Sequence, residues 1–142
     1  MGRVGDGENA WFNLKNFNMI ILRSHKELEV YKLAYKLAMD IYELSKTFPG
    51  EERYSLTSQI LNSSRSVPAN IAEAFRKRRY EKAFVAKLSD SEGEAAETQT
   101  WLDFSKDCKY ITPEVCDKYN QQYEHVICML VNMIRSPEKW SL

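Results

Sequence analysis

The chain has 142 residues, 44% of them apolar, with only 5 glycines and 4 prolines. That length suits one domain with a real core, and the scarcity of both helix breakers favours long helices. Twenty basic and twenty acidic side chains cancel, which excludes a global electrostatic pull toward nucleic acid or an acidic membrane and leaves only local clustering to provide one.

The first 23 residues carry Gly2, Gly5, Gly7 and several asparagines without helical or strand period. Residues 1–23 read as a mobile N-terminal lead, with residues 24–142 as the folded domain. Met19, just upstream of the first strong helix signal, is a second possible translation start. The aliphatic run Met19 to Leu22 is far shorter than the about 20 residues a bilayer span needs, so no membrane association is expected. Cys108, Cys116 and Cys128 are odd in number and no two lie close in sequence, and no signal peptide precedes them; a reducing, cytoplasmic setting follows.

Ser24-His25-Lys26-Glu27 has the form of a capping box and predicts the start of a first helix. Beyond it Glu29, Lys32, Lys36, Asp40 and Glu43 make a narrow polar stripe, and apolar side chains fill the remaining arc. An arc that wide predicts packing on two sides, within the bundle and against another subunit. Phe48-Pro49-Gly50 ends the helix, and Glu51 and Glu52 suit the positive start of a second helix from about Glu52 toward Phe75. Pro68 lies inside that helix and predicts a kink or break near Arg65 to Pro68. A third helix begins near Tyr80, with Phe84, Val85, Leu88, Ala95, Trp101, Leu102 and Phe104 on its buried side. Thr112-Pro113-Glu114 starts a fourth, which continues through Tyr119, Tyr123, Val126, Ile127, Leu130, Val131 and Ile134 until Pro137. Four long helices with short connections predict an all-α, antiparallel up-down-up-down four-helix bundle.

The segments HKELEVYKLA, SLTSQILNSSRSVPANIAEAFRKRRYEKAFVAKLSDSEGEAAETQTWL and PEKW occur in order between His25 and Trp140, ANIAEA and EAAETQ being the most distinctive. Together they resemble the four helix bundle protein family, also called the 23S rRNA intervening-sequence or S23 family. The resemblance implies a bacterial antiparallel bundle that assembles as a homopentamer. Related members, the accessory variability determinants of diversity-generating retroelements, are similar in fold, bind nucleic acid and partner a reverse transcriptase.

Charge is unevenly placed within the neutral chain. Between Arg65 and Ser89 seven basic residues face two acids, a net of +5, and between Asp90 and Asp107 six acids face Lys106, a net of −5. Arg65, Arg76, Lys77, Arg78, Arg79 and Lys82 are the candidate nucleic-acid contacts, because phosphate backbones reward clustered cations through counterion release. Two other readings stand beside this one. RKRRYEK can be a solvated corner, and the opposed patches can pair across subunits, making the protein an interaction scaffold that binds no nucleic acid. The polar segment SSRSVPANIAEA either lets two helices approach closely, with Ser66 or Asn70 satisfying backbone groups freed by Pro68, or presents Arg65, Asn70 and Glu73 at a shared surface.

Catalytic, cofactor and metal signatures are absent from the sequence. No Glu-x-x-His pair of the diiron bundles occurs, Gln122 preceding His125 by three without a carboxylate. His125 and Cys128 share a helix face but make only two ligands, and a packed thiol beside a half-exposed histidine is the plainer expectation. Asp90, Glu94 and Glu97 share a face that could hold a cation only if repeated in a ring. No serine or cysteine has a base at fixed spacing and no phosphate-cradling glycine loop occurs, so the sequence reads as non-enzymatic.

Overall fold

The computed structural model describes residues 22–141. Nearly all of the expected lead at 1–23 lies outside that span, but Leu22 already packs against the core. Four helices follow, α1 (Glu29–Ser45), α2 (Leu56–Arg76), α3 (Glu81–Asp107) and α4 (Pro113–Arg135). Single 3-10 turns at His25–Glu27, Gly50–Glu52 and Pro137–Lys139 complete the regular structure, and no strand occurs among the described residues. None of the described helices is long and apolar enough to cross a membrane.

The expected capping box works on a short turn rather than on α1. Ser24 Oγ accepts from the Lys26 amide at 3.1 Å and Glu27 Oε1 from the Arg23 amide at 3.0 Å. Leu28, whose side chain is buried in the core, then takes extended backbone (φ −74°, ψ 131°), so α1 starts at Glu29, four residues beyond the His25 that a Ser24 cap predicts. A similar offset moves α2 from Glu52 to Leu56. Glu52 closes a 3-10 turn and caps α2 from outside, its Oε1 accepting from the Leu56 amide at 3.1 Å and from Ser55 Oγ at 2.6 Å.

Contact partners descend along one helix as they rise along the next for α2–α3 and α3–α4, so each of these two pairs runs antiparallel. Thr98 and Ser91 of α3 reach Ser63 and Val67 of α2, and Asp103 and Gln99 of α3 reach Asn120 and Glu124 of α4. The α2–α3 pair is the most extensive. Ser63, Ser91 and Thr98 are small residues at this contact, and with Ser64 and Ser105 they are all at or below 2% exposure. Each of their hydroxyls donates, because a buried hydroxyl without a partner is costly. Thr98 Oγ1 donates to Ser63 Oγ at 2.8 Å, Ser63 donates onward to the Ile60 carbonyl, and Ser91 Oγ donates to the Val67 carbonyl at 2.8 Å.

Pro68 lies within α2 without ending it, so of the kink or break expected near Arg65 to Pro68 the break does not occur. The expected compensation is different too. Ser66 donates to the Asn62 carbonyl and Asn70 Oδ1 faces Lys87 Nζ, so neither serves the Ser64 carbonyl that Pro68 leaves without a donor.

The core gathers Leu37, Ile41, Ile60, Val67, Ile71, Phe75, Phe84, Leu88, Leu102, Tyr123, Val126 and Leu130, all at 2% exposure or less. Burial lifts the Tyr123 phenol above its ordinary pKa, and its oxygen has no hydrogen-bond partner. Two anticipated core positions are wrong in detail. Phe104 is 53% exposed and lies against Trp101 at 5.7 Å, while Cys128 stands in solvent on α4 with His125, both outside the core where a packed thiol was expected. Cys116, which the apolar pattern does not single out, takes the buried place, its thiol donating weakly to the Leu102 carbonyl and Asp103.

Candidate nucleic-acid interface

The basic run occupies the corner where α2 ends and α3 begins. Arg76 is the last residue of α2, and the turn over 77–80 is held by the Lys77 amide on the Ala74 carbonyl and the Tyr80 amide on the Lys77 carbonyl, both at 2.9 Å. Cations suit this place, because the last carbonyls of a helix carry partial negative charge. The start of α3 adds positive potential of its own. Its N-cap is Tyr80, which makes no side-chain cap, and Glu81 is the one acid in its first turn.

The six candidate residues do not form one patch. Arg76, Lys77, Arg79 and Lys82 stand at the corner, and no described carboxylate comes within 4.0 Å of any of them. Arg78 shares the corner but is engaged inward. Its Nε donates to the Phe75 carbonyl at 3.0 Å and its guanidinium lies 3.7 Å from the centre of the Phe75 ring. Burial, and secondarily the Arg76 charge, draw its pKa below the ordinary arginine value, though a guanidinium stays protonated. Arg65 is three turns back along α2, roughly 16 Å from Arg76 at 1.5 Å per residue. It lies over the Tyr42 ring at 5.7 Å and borders an apolar cleft with Tyr31, Tyr35, Met39 and Pro68.

The charge tally changes with this geometry. Lys87 pairs with Glu73 at 2.9 Å and approaches Asp90 at 3.8 Å. The Lys87 hydrogen bond and charge hold the Glu73 carboxyl below its ordinary pKa. With that pair satisfied, five cations of the corner face the single carboxylate of Glu81. The acidic run is divided as well. Asp103 accepts from Asn120 at 3.1 Å, Asp107 is 3.9 Å from Lys106, and Gln99 of α3 reaches the Asn120 carbonyl and Glu124. Glu94 has its pKa raised by burial first and by neighbouring Glu97 next. No group of three or more acid, histidine or cysteine ligands that could hold a metal is present among the described residues.

Clefts elsewhere on the described surface could also take a ligand. A cleft of about 740 Å³ opens between the start of α1 and the end of α4, lined by Leu28, Val30, Met129, Met133 and Trp140 together with Glu27, Glu29, Arg135 and Lys139. A smaller one of about 400 Å³ lies among Tyr54, Leu56, Trp101, Phe104 and Cys108. Tyr80, 64% exposed amid the cations, is a corner residue that charge counting passed over. Its signal in the sequence was an aromatic inside a basic run.

Residues 26–132 match the family described as 23S rRNA-intervening sequence protein. Among solved structures, a protein with unknown function from the S23 ribosomal protein family of Bacteroides thetaiotaomicron VPI-5482 is 30% identical with a TM-score of 0.68, the match covering 75% of this chain and 98% of that one. No protein of curated function matches.

Proposed function

We propose that this chain, which belongs to the 23S rRNA-intervening sequence protein family, is a non-enzymatic homo-oligomer, a pentamer in the form expected from its relatives, that binds RNA or DNA through the α2–α3 corner. The observation that carries the reading is the set Arg76, Lys77, Arg79 and Lys82, three exposed cations and a half-buried one at a single corner, none within 4.0 Å of a described carboxylate. Lys32, Lys36 and Lys46, by contrast, each come within 3.5 Å of a carboxylate one turn away. Oligomerisation repeats the corner around a common axis and turns a modest cluster into a multivalent one. Free thiols at Cys108, Cys116 and Cys128 suit a reducing cytoplasm. The role that fits is an accessory to a nucleic-acid enzyme such as a reverse transcriptase.

Fluorescence anisotropy of labelled RNA and DNA over a salt series tests this directly. Binding should be tight at low salt and fall with a log–log slope of about −3 if one subunit neutralises four phosphates. The variant with Arg76, Lys77, Arg79 and Lys82 all changed to Gln should lose most of both affinity and slope. No binding at low salt, or binding untouched in that variant, overturns the reading in favour of a protein-interaction scaffold.

A further inference from the structure

We infer that Tyr80 is a base-stacking platform, so that the corner takes an unpaired nucleic-acid strand in preference to a duplex; this rests on the nucleic-acid reading above. Four large aromatic side chains are exposed among the described residues: Tyr35, Tyr54, Tyr80 and Phe104. Three of them have a partner. Tyr35 lies 5.9 Å from Tyr31, Phe104 lies 5.7 Å from Trp101, and the Arg53 guanidinium covers Tyr54 at 5.5 Å. Tyr80 has neither ring nor cation against it among the described residues.

Its position sharpens the point. Tyr80 is the N-cap of a 27-residue helix, a place where Ser, Thr, Asp or Asn would accept from an open amide, and it supplies no such bond. The caps of α1 and α2, Leu28 and Ser55, make no such bond either, but Leu28 is buried in the core and Glu52 caps α2 from outside, whereas Tyr80 leaves the start of α3 uncapped and exposes an aromatic face as well. The platform is fixed rather than loose. The Tyr80 amide donates to the Lys77 carbonyl, and its own carbonyl accepts from the amide of Phe84, a residue 2% exposed. Arg79 precedes it and Lys82 follows two residues later, so phosphates held by these cations would bring an adjoining base within reach of the ring. Stacking on an aromatic needs a free base face, which a duplex does not offer and an unpaired strand does.

The test compares short labelled strands of one mixed sequence, as RNA and as DNA, each alone and annealed to its complement, by anisotropy at low salt against the wild type, Tyr80→Ser and Tyr80→Trp. Wild type should favour the single strand. Tyr80→Ser should weaken single-strand binding about tenfold and leave duplex binding unchanged, while Tyr80→Trp retains the wild-type preference. Because serine restores the cap, Tyr80→Ser should also raise the thermal midpoint, so the lost affinity cannot come from unfolding. Equal affinity of wild type for both forms, or a serine variant that binds single strands like wild type, overturns the stacking role even while the four-glutamine variant still loses binding. If wild type binds no strand of either kind, both readings fall. The RNA and DNA arms identify which strand is the source.

Discussion

Tyr110 donates its phenol proton to Glu52 Oε2 at 2.9 Å, joining the α1–α2 connection to the α3–α4 connection across 58 residues of sequence. Glu52 also accepts from Ser55 and caps α2 through Leu56, so one carboxylate fixes a helix start and ties two loops at the end of the bundle opposite the basic corner. The bond to Glu52, then burial, pushes the Tyr110 phenol up to about 12. Bonds from Ser55, Tyr110 and the Leu56 amide hold Glu52 below its ordinary value of 4.5.

The two shifts give opposite pH signatures. A raised tyrosine stabilises fully below its unfolded value of 10.0, and the contribution disappears as pH rises through about 12. A depressed carboxylate stabilises above 4.5, and that contribution is lost as pH falls through the folded value. Denaturation curves of Tyr110→Phe should therefore lie below wild type at neutral pH and converge on it between pH 10 and about 12. Those of Glu52→Gln should converge on the acid side instead. A difference constant with pH in either variant would contradict the bond.

The buried pair Ser63 and Thr98 makes the α2–α3 contact both close and polar. Thr98→Val keeps the shape and removes the donor to Ser63, and should cost about 1 kcal/mol in urea unfolding. Ser63→Leu should cost more, about 1–3 kcal/mol, because the interface has no room for the added carbons. If leucine is tolerated as well as valine, close approach is not what the serines provide.

This pair also explains how far the sequence could be read. Helix number and order followed from Pro and Gly positions and from apolar spacing, and Thr112 caps α4 as expected, accepting from the Val115 amide at 3.2 Å. The interior of the α2–α3 contact was harder to read, because serines that look like surface are core. Whether Ser63 is buried depends on Thr98, 35 residues away, and no local pattern encodes that pairing. The candidate site was legible as a charge run, but its division was not. That Arg78 turns inward onto Phe75 and Lys87 onto Glu73 depends on backbone direction at the corner and on the α2–α3 register.

Arg78 and Arg79 are adjacent in sequence and should separate cleanly in experiment. Arg78→Ala removes a guanidinium lying on the Phe75 ring and a bond to the α2 terminus, and should cost about 1–2 kcal/mol of stability. Arg79→Ala touches neither and should leave the unfolding midpoint within error while weakening nucleic-acid binding. Equal stability of the two variants would contradict the structural role of Arg78.

Lys109 is the one described non-glycine residue with positive φ, at 66°. It ends α3 in a Schellman turn, its amide on the Lys106 carbonyl and the Tyr110 amide on the Ser105 carbonyl, both at 2.9 Å. Glycine removes the Cβ penalty of the left-handed region, partly offset by greater freedom in the unfolded chain. Lys109→Gly should thus stabilise by about 0.5–1 kcal/mol in calorimetry, and a destabilised variant would show that the lysine side chain itself holds the turn.

Assembly has its own test on α1. Its apolar arc exceeds what the bundle covers: Tyr35 and Met39 remain 53% and 47% exposed beside a cleft of about 320 Å³ floored by Ala38, Pro68 and Ala69. A second copy seated there would bury this strip and leave Arg65 at its edge. Tyr35→Glu and Met39→Glu should shift light scattering from an oligomer to a monomer with helical circular dichroism unchanged, since neither side chain is core. A wild-type monomer would end the oligomer reading, and variants that stay assembled would move the interface elsewhere. The same variants bear on the basic corner, which they leave intact. If affinity depends on repeated corners, monomers should bind a long strand at least a hundredfold more weakly yet match wild type on a strand short enough to engage one subunit.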